Sequence, residues 1–476
     1  MLDTSKLTIK KSVEMMNSGE LTSEALVYAH LEVSKVKNLE LNAYVDIFDD
    51  AIASAREADK KRKNGDKSSL LGIPLAIKNN ILIKGKRATA CSKILENYTA
   101  TYDATAIANL KQAGAIMLGS TNMDEFAFGS STQTSVFGPT RNPHDTSRVP
   151  GGSSGGSVVA VAANMALGAL GTDTCGSVRQ PSGWCGTVAL KTTYGVVSRS
   201  GAIAMGSSLD QISPIAKNVE DVELLFNSMR GHDPLDATSE DYNAHKFVPT
   251  ERQAKRIGIP WKFVEKGLAE DVLNNFKKTA DELKSKGYEI VDIELPNAEH
   301  ALPAYYIVVP AEISANLARY DGVRFGLHVD GKDLLEDYKF SRAMGFGKEV
   351  RRRIMIGAYI LSHGYYDAYY NKAKSLRKII AEDFDKVFTG ADSVSAIMIP
   401  TSPGPAFKIG EKSDDPVEMY LEDIFTAPTN ITGTPSLAVQ GGTVSREGKD
   451  LPQGVQFMAP RFGEDSLIKL GKSLGR

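Results

Sequence analysis

The rhythm of apolar and polar positions changes several times along the chain. Residues 7–37 and 50–64 carry apolar side chains at helical spacing, as in LTSEALVYAHLEVSKV, with Thr22 placed to cap the run three residues before Ala25. From Leu70 the texture becomes short apolar runs broken by glycine: LLGIPLAIKNNILI, AGAIMLGSTN, ALGALGTD and TVALKTTYGVVS. A helical stretch, DATAIANLKQAG, sits among them. Short buried strands alternating with helices predict an α/β sheet. ERQAKRIGIP predicts another strand, and EDVLNNFKKTADELKSKGYEIVDIELP a helix followed by a strand. Residues 335–385 are charged and strongly helical, and SAIMIPTSPGPAF returns to strand and loop. No internal repeat and no linker divides the chain. The expectation is one α/β domain over 1–476, with N-terminal helices at 1–65, a core at 66–235, and a second half at 236–476 elaborated by helices around 335–385.

One stretch resists this periodic reading. Residues 151–177, GGSSGGSVVAVAANMALGALGTDTCGS, hold an apolar segment between two Gly/Ser knots. Glycine at this density costs conformational entropy on folding. Tight turns between packed elements would account for one such knot, but two flanking a single buried element ask for more. Gly151 to Gly155 fits the G-x-S-x-G pattern of a nucleophile elbow. The histidines downstream (His232, His245, His300, His328, His363) sit in no site-like loop, however. The phosphate-cradling pattern fails because Gly156 is followed by Ser157 and Val158 rather than Lys and Ser/Thr.

Composition narrows the class. The 476 residues are 42% hydrophobic, enough for a large core, and 56 basic residues nearly balance 58 acidic ones. That balance argues against a stand-alone nucleic-acid or membrane-surface binder. Cys91, Cys175 and Cys185 have neither metal-ligand spacing nor a disulfide pattern, as expected in a reducing, cytoplasmic setting. The N-terminal stretch lacks the apolar region of a secretory signal, and no membrane span is expected.

Lys78 ends the buried run GIPLAIK. A lysine there usually snorkels to the surface. Held dry, it becomes a neutral base. Bringing its pKa from about 10.4 to near 7 costs about 4 to 5 kcal/mol, part of which desolvation by Ile73, Leu75 and Ile77 would impose.

GIPLAIKNN, PGGSSGGSVVAVAA and GTDTCGSVRQPSGWCG together closely resemble the amidase signature family. The resemblance implies one domain with a central mixed β-sheet covered by helices on both faces, and a Ser–cis-Ser–Lys catalytic set. Carried over by position, Lys78 is the general base, Ser153 the relay serine on a cis peptide bond, and Ser177 the nucleophile that forms an acyl ester. The amides of Thr174, Cys175, Gly176 and Ser177 would face the developing oxyanion.

The resemblance extends over nearly the whole chain and is strongest to the amidotransferase branch. TNMDEFAFGSSTQTSVFGPTRNP, PAYYIVVPAEISANLARYDGVRFG, GKEVRRRIMIGAYILSHGYYDAYYNKA and MYLEDIFTAPTNITGTPSLAV carry it. It implies hydrolysis of glutamine and delivery of ammonia to a partner subunit. That partner binds Glu-tRNA(Gln) and uses ATP and Mg to amidate it. The chain itself would need no cofactor and no metal, and would sit in a heterotrimer with subunits B and C. The substrate carboxylate calls for an arginine, Arg352 or Arg353 of the 351–353 run, and the ammonium for an anion, Asp423. Tyr305 or Tyr306 would line the pocket. The alternative is a free-standing amidase for another small amide. Two positions depart from the family: Asn79 where Asp is usual, and Cys175 where Gly or another small residue is usual. Cys175 would be strained if its φ were positive, and it offers a rival nucleophile.

Overall fold

The computed structural model describes residues 2–412 and 415–476. Its frame is one sheet of eleven strands. These are β1 (Tyr44–Ile47), β2 (Pro74–Lys78), β3 (Ile116–Thr121), β4 (Gly168–Asp173), β5 (Val188–Lys191), β6 (Gln211–Ala216), β7 (Arg256–Ile259), β8 (Glu289–Asp292), β9 (Ala396–Pro400), β10 (Ser436–Arg446) and β11 (Lys449–Met458). Their order is β1-β3-β2-β4-β6-β5-β10-β11-β9-β7-β8. β2 runs parallel to β3 and β4, and β7 to β8 and β9, while the other neighbours are antiparallel. The sheet is therefore mixed.

Successive residues of the central strands feed different apolar clusters. Leu75 and Ile77 enter one, and Ala76 between them enters another. Leu170 and Ala169 divide in the same way. Strand side chains alternate between faces, so both faces of the sheet are covered. This explains why these strands read as continuous apolar runs.

The run predicted as one helix over 7–37 is two, Ile9–Ser18 and Ser23–Leu41. Gly19 ends the first with φ +82°, and the Thr22 hydroxyl caps the second by accepting from the Ala25 amide at 3.1 Å. The N-terminal segment also supplies β1, a four-residue edge strand on β3 too short to show a period. Further along, helix Ala301–Asn316 packs against helix Lys348–Ile360, inside the predicted helical region.

Between the two Gly/Ser knots lies helix Gly155–Ala162, packed on β2 and β4. Close packing fixes the glycine of β4 that faces it. A Cβ on Gly171 would lie 2.6 Å from Val178 and 2.7 Å from the Ser154 hydroxyl. The bare backbone of Gly171 thus leaves room for Val178 and Ser154 against the strand, and the packing brings three distant sequence stretches to one spot at the ends of β2 and β4.

Candidate active site

Lys78 is the last residue of β2 and wholly buried. Its Nζ donates to three hydroxyls, those of Ser153, Ser154 and Thr172, each at 2.8 Å. The Gly152–Ser153 peptide bond is cis. The roles in this ring are unequal. Ser154 Oγ donates to the Thr172 carbonyl at 3.1 Å, so toward Lys78 it acts as an acceptor. A neutral lysine has two N–H donors and one lone pair. With Ser154 and Thr172 taking the two donors, the lone pair is left for Ser153.

Burial pushes Lys78 down to about 7, against the opposing pull of Asp124, Asp173 and Asp210. Near neutrality a large fraction of Lys78 is therefore unprotonated. The Asp124 carboxylate is occupied with the backbone amides of Ser131, Thr132 and Gln133 and shapes the loop beside the first knot.

The second knot is held by a buried ion pair. Asp173 accepts from the Gly176 amide at 2.8 Å and from Arg179 Nε and Nη2, both at 3.0 Å. Arg179 Nη1 donates to Thr429 and Gln456, and the two hydrogens of Nη2 are shared among Asp173, Asn430 and the Thr426 carbonyl. Burial alone would raise Asp173, but Arg179 overrides it and holds the carboxyl down to about 2. A buried pair with this many satisfied bonds fixes a loop geometry. Gly176 sits in that loop with φ +124°, and a Cβ there would lie 2.2 Å from Thr426 Oγ1. The Ser154 amide donates to the Ser177 carbonyl at 3.0 Å and ties the two knots together. Of Lys78, Ser153 and Ser177, only Ser177 has measurable exposure, 8%.

One expected oxyanion donor is otherwise engaged. The Gly176 amide is taken by Asp173 Oδ1, because the carboxylate must anchor the turn. The amides of Cys175 and Ser177 make no hydrogen bond among the described residues. The Thr174 side chain donates to Asp210 at 2.7 Å.

The second half of the chain supplies a cationic pocket. Arg353, on helix Lys348–Ile360, is buried and donates to Glu349 at 2.8 Å. Its guanidinium lies 5.2 Å from the Tyr306 ring, 5.1 Å from Tyr420 and 5.7 Å from Phe128. Tyr306 stacks on Tyr420 at 4.1 Å, and the Tyr420 hydroxyl donates to Glu349. Arg352 is half-buried and pairs with Glu349 from the rim, while Arg351 is exposed. Tyr305 is buried edge-on to Tyr306. Asp423 is buried too and accepts from the Ser130 hydroxyl at 2.7 Å. Burial pushes Asp423 up to about 7, with Ser130 and Arg353 working against the rise. A cleft of about 330 Å³ opens beside Arg353, lined by Phe128, Ser131, Glu349, Met419 and Tyr420. Ser177 lies deeper.

Both sequence departures have a structural account. Asn79 Oδ1 accepts from the Thr89 amide at 2.9 Å and from the Thr89 hydroxyl, and so pins the neighbouring loop. An amide oxygen serves there as well as a carboxylate would. Cys175 does not have positive φ, so the strain expected of a non-glycine residue is absent; Gly176 carries it instead. Burial, with Asp423 and Asp173 close by, pushes the Cys175 thiol well above its ordinary value, which disfavours a thiolate nucleophile.

Sequence reading missed Ser154, Thr172, Asp173, Arg179, Ser130, Glu349 and Tyr420. Asp173 and Arg179 carried a signal, being the only charges between Arg148 and Lys191. The others became visible only when the fold brought them together.

The family profile described as Amidase matches residues 25–468. The chain is 47% identical over 475 residues to the A subunit of glutamyl-tRNA(Gln) amidotransferase from Roseiflexus castenholzii, covering 99% of this chain and 96% of that protein. Among solved structures it resembles the corresponding A subunit of glutamyl-tRNA(Gln) amidotransferase from Thermotoga maritima, with TM-score 0.80, 38% identity, and coverage of 100% and 95%. It also resembles a peptide amidase from Stenotrophomonas maltophilia, with TM-score 0.82, 30% identity, and coverage of 99% and 96%.

Proposed function

The chain belongs to the amidase family, and from that membership we propose that it is the glutamine-hydrolysing A subunit of a glutamyl-tRNA(Gln) amidotransferase. The observation that carries the reading is the ring of three hydroxyls around a buried Lys78, with Ser153 on a cis bond. The amidotransferase A-subunit name carried by similar relatives supports that role, and glutamine as the nitrogen donor belongs to the proposal.

In this reading the Ser177 hydroxyl attacks the side-chain carboxamide carbon of glutamine. Its proton passes to Ser153, and the Ser153 proton passes to the lone pair of Lys78. The amides of Cys175 and Ser177 stabilise the oxyanion. Protonated Lys78 then returns a proton, through Ser153, to the leaving nitrogen. Ammonia departs and a glutamyl ester remains on Ser177, and water cleaves the ester by the same relay in reverse. Arg353 holds the substrate α-carboxylate, with Glu349 and Tyr420 fixing the guanidinium. Asp423 holds the ammonium, and that cation keeps Asp423 ionised. Tyr305 closes the pocket, and Arg352 remains at its rim.

The ammonia passes to a B subunit, which uses ATP and Mg to amidate Glu-tRNA(Gln), with a C subunit completing the heterotrimer. On this reading the chain needs no cofactor of its own. No helix among the described residues is long and apolar enough to cross a membrane. The test is glutamine hydrolysis by the purified chain, alone and with the B and C subunits. The proposal expects turnover coupled to amidation of Glu-tRNA(Gln) in the assembled complex. Full activity of the lone chain on small amides, with none on glutamine, would favour a free-standing amidase.

A further inference from the structure

A small internal pocket of about 10 Å³ adjoins the lysine ring. Asn80, Thr172, Met205, Asp210, Gln211 and Ile212 are among its walls. Its volume matches the space a single water needs, roughly 10 to 15 Å³. Most of the polar groups around it are already satisfied. Asp210 accepts from the Thr174 hydroxyl and from the Met205 and Gly206 amides. Gln211 bonds to the Asp210 carbonyl and the Thr192 hydroxyl.

Two groups are unsatisfied, and they complement each other. Asn80 is 2% exposed, and its Oδ1 has no hydrogen-bond partner among the described residues. The Thr172 hydroxyl receives bonds from Lys78 at 2.8 Å and from Asn80 Nδ2 at 3.1 Å. Both partners are donors, so the Thr172 proton itself has no acceptor among the described residues. With the oxygen and nitrogen of Asn80 exchanged, Oδ1 would itself accept the Thr172 proton; the water is required in the orientation the structure shows, with Nδ2 on Thr172 and Oδ1 facing the pocket.

We propose that the pocket holds one ordered water, bonded to both Thr172 and Asn80, and that Asn80 is thereby a positioning residue for the base. The water takes the Thr172 proton, so Thr172 remains an acceptor toward Lys78. The lone pair of neutral Lys78 is then left for Ser153. Without Asn80, Thr172 turns its proton onto that lone pair and competes with Ser153. The inference rests on the reading of Lys78 as the base. The other ionisable groups facing Lys78 are Asp124, Asp173, Asp210 and Cys91, and Arg199, paired with Asp236, also lines the pocket; substitution of Asn80 removes none of them.

The experiment follows labelling of Ser177 by a fluorophosphonate across pH, using the full chain in its assembled complex. In that reaction the Ser177 oxygen bonds to phosphorus, fluoride leaves, and the serine proton passes through Ser153 to Lys78. It needs no glutamine. The wild-type rate rises through the titration of Lys78, and Lys78→Arg removes the rise; failure of that control would refute the base itself. With the control intact, Asn80→Leu slows labelling about tenfold on the plateau and moves the titration down by about one pH unit, because a bond donated to the neutral amine favours it. Asn80→Asp offers Thr172 an oxygen in either protonation state. It keeps the plateau within about threefold of wild type and does not move the titration down. Equal losses in both variants with an unmoved titration, or no loss in Asn80→Leu, would overturn the proposal. Should Asn80→Leu not fold, the wild-type crystal structure decides. Density for a water bonded to both Thr172 Oγ1 and Asn80 supports the assignment, and a dry pocket refutes it.

Discussion

Two lysines end strands of the same sheet, Lys78 at β2 and Lys191 at β5, with β4 and β6 between them. Both are wholly buried, and burial pushes both down to about 7. Their surroundings differ. Lys78 is ringed by the hydroxyls of Ser153, Ser154 and Thr172, the first of which is the proposed relay to Ser177. Lys191 donates to the Thr192 carbonyl at 2.9 Å and lies near Arg179, Asp173 and Glu464. A carbonyl has no proton to give. Burial alone makes a neutral amine, and only a chain of hydroxyls makes that amine a base. A depressed pKa is thus a poor guide to function until the partners are named.

Three substitutions press on this contrast. The largest effect belongs to the far end of the relay. Ser177→Ala should lower glutamine-dependent amidation by the complex at least about 10⁴-fold. Amidation with added ammonia should persist, because that chemistry is assigned to the partner subunit. Loss of both activities in a folded complex would count against the division of labour.

Asp423→Asn keeps the shape of the pocket and removes its anion. The KM for glutamine should rise about tenfold, since a charge-assisted hydrogen bond is worth roughly 1.5 to 3 kcal/mol. Free Asp423 takes up a proton as pH falls through about 7. Wild-type KM should therefore climb below that pH, whereas the KM of Asp423→Asn should not. An unchanged KM would move the ammonium site elsewhere.

Lys191→Met should have the smallest effect on turnover, within about threefold. It should show instead in stability. The ordinary lysine value of 10.5 is depressed to about 7 in the folded chain. Between those values the unfolded state binds more protons, so this lysine makes stability rise with pH there. Losing it should flatten the rise in denaturation free energy by about 1.4 kcal/mol per pH unit. An unaltered slope, read from urea melts across that range, would mean that Lys191 is not held neutral.

Much of this contrast was legible in the sequence, though unevenly. The strands around the site stood out because both sheet faces are covered, leaving uninterrupted apolar runs that end in Lys78 or in a glycine knot. The two knots were visible because nothing else in the chain is as rich in glycine and serine. The long hairpin of β10 and β11 went unread because Gly441, Gly442, Pro452 and Gly454 break its alternation, and β1 because four residues paired to a distant strand show no period. The lysine ring was half visible: Ser153 and Ser177 lay in a recognisable pattern, whereas Thr172 and Asn80 matter only through a fold that joins β2 to β4. The choice between Arg352 and Arg353 also waited on the structure. Adjacent residues on a helix face different directions, and burial against Tyr306 and Tyr420 separates them.

The most direct test is the pH dependence of kcat for glutamine hydrolysis at saturating substrate, in the assembled complex. Saturation removes Asp423 from the profile, because bound ammonium keeps it ionised, and kcat reports groups in the substrate complex. The account predicts an acid limb near pH 7 in wild type that survives unchanged in Lys191→Met. It predicts almost no turnover at any pH in Lys78→Arg, whose guanidinium stays protonated, with melting that confirms a folded chain. Wild-type-like turnover in Lys78→Arg, or a limb that disappears with Lys191→Met, would contradict it.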